Sequence, residues 1–159
     1  MIIFYREVIF LIEREIASVI KFVIDTSGNP YPYYREIPEG FLIPAVYFPV
    51  PEIETDNDTL SSYKLIYIWF IKFFHKSTPK AYEMAAKVLK KLKGGRNQIP
   101  IVSDKGFNTG KSFYVKNTGI KTIESGTVQF SIEWEIRKLY TYEAVLKTQR
   151  YYIDRFVKN

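Results

Sequence analysis

Few residues in this 159-residue chain have types and spacings suited to chemistry. Gly110-Lys111-Ser112 ends like a phosphate-binding loop, in which glycine-rich backbone cradles phosphate oxygens and the lysine reaches them. That pattern needs a glycine where Lys105 stands and a helix after the serine, but a strand-like stretch follows Ser112. A polar loop or hairpin tip is expected instead. His75 is the single histidine, so a two-histidine metal site is excluded, and no Gly-x-Ser-x-Gly elbow offers it a serine nucleophile. Glu133 and Glu135 have the spacing of paired carboxylates on one strand face, where cross-strand charge pairing accounts for them without acid–base work. The chain has no cysteine, which excludes disulfides, thiolate metal sites and cysteine nucleophiles. The sequence therefore nominates no catalytic, cofactor-binding or metal residue, and it reads as a non-enzyme.

Charge placement is more informative than the formal net charge of +6. Lys72, Lys76, Lys80, Lys87, Lys90, Lys91, Lys93 and Arg96 are opposed within their own stretch only by Glu83, whereas Glu52, Glu54, Asp56 and Asp58 meet no base before Lys64. One basic and one acidic surface are expected. With Phe70, Phe73, Phe74 and Tyr82 close by, the basic stretch is the one feature suited to nucleic acid. Its lysines outnumber its arginine, and no base-reading motif accompanies them. The wet face of a helix, or a contact between subunits, is the simpler reading. Candidate contacts are Glu52, Glu54, Asp56 and Asp58 on one side and Lys87, Lys90 and Lys91 on the other.

The elements carrying these groups follow from periodicity. Ile9, Ile12, Ile16, Val19 and Ile20 recur at helical spacing, predicting an amphipathic helix over about residues 2–21. Arg6, Glu7, Glu13 and Arg14 interrupt this apolar run, so a membrane span is not expected. Residues 25–32 are rich in turn formers. Pro38, Pro44, Pro49 and Pro51 then limit the chain to a short edge strand near residues 43–48, with the polar residues 55–62 as a loop tip. Residues 63–74 are apolar on both strand faces and should be buried on both, with another subunit as a possible cover. Thr78-Pro79 reads as an N-cap with proline at the first helical position, and Ala81, Met84, Ala85, Val88, Leu89 and Leu92 form a stripe ending at Gly94-Gly95. A short strand over residues 98–102 is followed by strands at 112–124 and 127–140, paired through a turn at Ser125-Gly126. In the last, Val128, Phe130, Ile132, Trp134 and Ile136 alternate with Gln129, Ser131, Glu133, Glu135 and Arg137, giving one dry face and one wet face.

The expected fold is α+β: a mostly antiparallel sheet of about four strands, with an N-terminal helix and a second helix packed on one face, plus a C-terminal extension. Residues 1–142 form the domain and 143–159 an arm or helix whose Tyr151, Tyr152 and Phe156 need a partner surface.

The order of helix, proline-interrupted Ile43-Pro44-Ala45-Val46-Tyr47-Phe48, aromatic strand, second helix and closing hairpin resembles the tail terminator and tail-completion proteins of long-tailed bacteriophages. The likeness includes related minor structural proteins of phages infecting Gram-positive hosts. It spans about residues 2–142, and its most telling pieces are Gly126-x-x-Gln129-x-Ser131-x-x-Trp134 and Gly119-Ile120-Lys121-Thr122-Ile123-Glu124 before it. The resemblance implies a structural subunit that assembles in the host cytoplasm into a ring, with a hexamer as the expected form, at the head-proximal end of the tail tube. There it would stop tube polymerisation and face the head-completion or connector protein, with DNA passing through its bore. It implies no catalytic residues, cofactor or membrane partner. The alternative is a basic nucleic-acid-binding module acting through residues 72–96.

Overall fold

The structure, a computed structural model, describes residues 14–140. Two helices, α1 (Arg14–Thr26) and α2 (Thr78–Gly94), pack on one face of a seven-stranded mixed sheet that curls into a half-barrel. The strands are β1 (Tyr31–Tyr34), β2 (Ala45–Phe48), β3 (Glu52–Thr59), β4 (Ser62–Phe74), β5 (Gln98–Val102), β6 (Asn108–Glu124) and β7 (Thr127–Leu139). Their order is β1-β2-β4-β7-β6-β5, with β3 also on β4.

In α1, Ile16, Val19, Ile20 and Val23 form the buried stripe, and the helix runs beyond the expected end to Thr26. It stops where Gly28 and Asn29 adopt positive φ. The expected helical residues before Arg14 lie outside the described residues, as do Tyr151, Tyr152, Phe156 and the domain boundary placed at residue 142.

β4 organises the sheet. β7 pairs with it along its whole length, while β2 and β3 follow one another in line on its other edge. Pro49-Val50-Pro51 separates those two strands, and the register moves from Tyr47↔Lys72 to Glu52↔Ile68, leaving an extra residue on the proline side. Prolines lack the donor a ladder requires, so this is where the edge bulges. The Trp69 indole N–H donates to the Pro49 carbonyl beside the bulge.

The sheet has seven strands where about four were expected, and two of them, β1 and β3, fall where the sequence reading placed none. β1 pairs in parallel with β2, so β2 is second from the edge rather than at it. β3 occupies most of what was expected to be a polar loop tip, and only Leu60-Ser61 turns the chain into β4. Its ladder to β4 supplies the stability that Glu, Asp and Asn do not provide by propensity.

The start of α2 needs a smaller correction. Ser77, not Thr78, is the N-cap, and it makes no side-chain cap bond. Thr78 Oγ1 instead accepts the Gly126 N–H at 2.9 Å, tying the helix to the β6–β7 turn. At this junction Gly126 has φ +75, and a Cβ there would lie 2.6 Å from the His75 carbonyl oxygen. Glycine is required on both counts.

The core lies between helices and sheet. Tyr67, Trp69, Ile71 and Phe73 of β4 and Val128, Phe130, Ile132 and Trp134 of β7 pack against Ala81, Val88 and Leu92 of α2 and Ile16, Val19 and Val23 of α1. Trp134 is fully buried and stacks on Tyr67, with ring centroids 5.1 Å apart and planes 3° apart. The other face of β4 carries Ile66, Ile68 and Phe70, which stay half-buried beside the polar side of β7. The full burial expected for that face is thus met only in part within the single chain.

Candidate assembly surfaces

The register places Glu52 opposite Ile68, Glu54 opposite Ile66 and Asp56 opposite Lys64, so the acidic row of β3 lies on the helix-free face of the sheet. All three side chains are exposed, and Glu52 and Glu54 form no ion pair among the described residues. Asp58 differs. Its carboxylate accepts a hydrogen bond from Ser62 Oγ at 2.7 Å, approaches Arg137 Nε at 2.6 Å and lies 3.8 Å from Lys64 Nζ. The Ser62 hydroxyl and the two cations hold its pKa below the usual aspartate value.

The same network continues along β7. Lys116 Nζ donates to Glu135 Oε1 at 2.7 Å and lies 4.0 Å from Glu133, while Lys64 lies 3.7 Å from Glu135. The Lys116 hydrogen bond lowers the Glu135 pKa and raises its own. Glu133 and Glu135 are therefore cross-strand charge partners, as their spacing suggested, each compensated by a nearby cation.

The basic stretch divides between two surfaces. Lys80, Lys87, Lys90 and Lys91 are exposed on α2, where Lys87 pairs with Glu83 at 3.6 Å. Lys72 lies on the opposite, helix-free face of β4, across from Gln129. Phe73 is fully buried and Phe74 packs edge-on to Phe41, leaving Tyr82, 49% exposed, as the aromatic ring open beside the α2 lysines. The acidic row and the lysine face thus lie on opposite sides of a two-layer domain.

The residues first considered for chemistry sit apart. Gly110-Lys111-Ser112 lies within β6, where Ser112 pairs with Pro100 of β5 in a ladder rather than leading into a helix. His75 directly follows β4, its N–H donating to the Gly126 carbonyl and its Nδ1 accepting the Lys76 N–H. Desolvation, then Lys80 and Lys76, lower its pKa. Among the described residues no cluster of His, Asp and Glu could hold a metal ion, and no helix is long and apolar enough to cross a membrane.

One surface was missed in the sequence. At the proline bulge, Ile16 and Ile20 of α1, Phe48, Val50, Ile53 and Trp69 line an apolar cavity of about 240 Å³ with Arg35 at its mouth. Two prolines between two stretches of strand were its sequence signal, because they interrupt the ladder to β4 there.

No protein-family model matches the chain. The chain is similar to the phage-like element PBSX protein XkdJ of Bacillus subtilis strain 168, with 29% identity over 126 residues, covering 79% of this chain and 86% of that protein. It is also 29% identical over 112 residues to the uncharacterized protein YqbJ of the same strain, covering 70% of this chain and 76% of that protein. A chain from the virion of a native gene transfer agent particle aligns with a TM-score of 0.44 and 12% identity, covering 78% of this chain and 93% of that one. A similarity to a protein of a phage-like element is therefore established.

Proposed function

We propose that the chain is a virion structural protein of a phage-like particle, a tail terminator that closes the head-proximal end of the tail tube as a hexameric ring. The observation that carries this reading is the placement of the Glu52, Glu54 and Asp56 row on the sheet and Lys87, Lys90 and Lys91 on α2, on opposite sides of the domain. Complementary patches on opposite sides favour head-to-tail contacts, which close into rings when the rotation between copies allows. Asp58 supports the acidic row from within, through its bonds to Ser62, Lys64 and Arg137. Similarity to a phage-like element protein supports the same reading. In the particle, the ring's neighbours are the tail tube protein and the head-completion or connector protein, and DNA passes through its bore in the neck.

Charge reversal tests the contact. Lys87→Glu, Lys90→Glu and Lys91→Glu together should leave a folded chain that no longer forms rings, and Glu52→Lys, Glu54→Lys and Asp56→Lys should restore assembly when combined with them. Rings that persist in the lysine triple variant, or no rescue, would remove these patches from the interface. The nucleic-acid reading is separated by salt. A binding module would hold duplex DNA as a monomer, with affinity falling steeply as salt rises.

A further inference from the structure

The apolar cavity at the proline bulge has no place in the charge contact, because it opens on the helix side of β3 while the acidic row faces the other way. Val50 is 74% exposed and Ile53 53% exposed at its rim, so the site is an open apolar recess at the edge of the sheet. Arg35 is held at its mouth with φ 64 by backbone bonds, its N–H donating to Phe48 O and its carbonyl accepting from Tyr47 Oη. Its guanidinium forms no ion pair with another described residue. An occupant should offer a large apolar side chain with a carboxylate close to it.

We infer that this recess receives residues 151–156 of the next copy in the ring, with a ring of Tyr151, Tyr152 or Phe156 in the cavity and Asp154 on Arg35. The inference rests on the ring reading. Within the chain beyond the described residues, Tyr151-Tyr152-Ile153-Asp154-Arg155-Phe156 has that composition, an acid between aromatics. The position where the described chain ends argues for a neighbour. Tyr140 donates its N–H to Ser61 O at the β3–β4 turn, whereas the recess lies at the opposite end of the eight-residue β3, about 26 Å away at 3.3 Å per residue. β7 runs parallel to β3, since both are antiparallel to β4, and it ends at the β3–β4 turn, so the chain's own recess lies behind it at Tyr140. The six-residue segment lies far enough along the chain to reach across a subunit boundary, since its first residue, Tyr151, is eleven residues beyond Tyr140, about 36 Å when extended.

The absence of native cysteine makes the test direct. Full-length chain carrying Val50→Cys and Tyr152→Cys is assembled, oxidised and run on a non-reducing gel, with Val50→Cys and Phe156→Cys as a second pair. The expected result is a ladder of covalently joined chains from one of the pairs. Arg35→Glu should lower its yield by roughly tenfold, and adding Asp154→Arg should restore it. Rings that form without inter-chain cross-links overturn the inference and leave the ring reading standing; this is the result if the recess is filled by the chain's own residues 1–13. Cross-links confined within single chains also overturn it. A chain that stays monomeric under all assembly conditions overturns both.

Discussion

Replacing Trp134 with alanine tests whether the dry face of β7 is the core of the domain. Trp134 is 0% exposed and touches three aromatic rings: Tyr67 at 5.1 Å, Phe113 at 5.8 Å and Trp69 at 6.3 Å between centroids. Trp→Ala in a packed core costs about 3–5 kcal/mol, and the loss of three ring contacts places this site at the upper end. A domain of this size is stable by about 5–15 kcal/mol, so the variant should be marginal or unfolded. With a urea dependence of about 2 kcal/mol per molar, the midpoint followed by far-UV circular dichroism should fall by about 2 M. Trp134→Phe is the informative companion. The indole Nε1 has no hydrogen-bond partner within the described residues, so phenylalanine removes a buried, unpaired donor while keeping most of the apolar contact, and the loss should be under about 2 kcal/mol. A Trp134→Ala chain that kept the wild-type midpoint but failed to assemble would refute the reasoning, because the dry face would then belong to an interface.

Three other perturbations report on other parts of the fold. Gly126→Ala forces a Cβ against the His75 carbonyl in a left-handed conformation and should cost about 2 kcal/mol or more in urea denaturation, whereas a neutral effect would mean the junction readily yields. Ser18→Ala leaves the buried Val102 N–H, now 3.0 Å from Ser18 Oγ, without its acceptor and should cost about 1–3 kcal/mol; an unchanged midpoint would show that α1 does not anchor β5 through this bond. The lowered carboxylates of Asp58 and Glu135 contribute stability above their ordinary values of 3.8 and 4.5, and this is lost as pH falls through their folded values. An acid titration should therefore show wild type losing more stability below pH 4.5 than Asp58→Asn with Glu135→Gln, and parallel curves would contradict the pairing. The raised Lys116 acts at the other end, its contribution being present below 10.5 and lost as pH rises through its folded value.

Much of this architecture was legible because apolar side chains mark their own periodicity. β4, α2 and the β6–β7 hairpin carry strong patterns, and these and the short β5 each lie within a few residues of their expected positions. β3 was harder to see. Glu52, Glu54, Asp56 and Asp58 alternate strictly with Ile53, Thr55, Asn57 and Thr59, which is strand periodicity, but the strand has no apolar face to announce it. Its pairing comes from β4, a long-range effect that local composition does not encode. β1 was hidden by Pro32 and by the turn-rich residues before it, and it forms because β2 offers an open parallel edge. The charged surfaces were legible as stretches of sequence, but their placement on opposite sides was not, since it depends on the register of β3 and the packing of α2. The division of the basic stretch by Lys72 follows from strand parity at the end of β4. The recess with Arg35 at its mouth joins residues distant in sequence and depends on the offset that the proline bulge introduces.

The central claim is that this chain works as an assembled ring, and mass photometry of the full-length protein, with negative-stain images of the same sample, tests it most directly. The account predicts one discrete closed species of six copies with a central opening, lost in the lysine triple variant and regained with the acidic reversals. A single 18.7 kDa species at every concentration, or open polymers of undefined length, would contradict it.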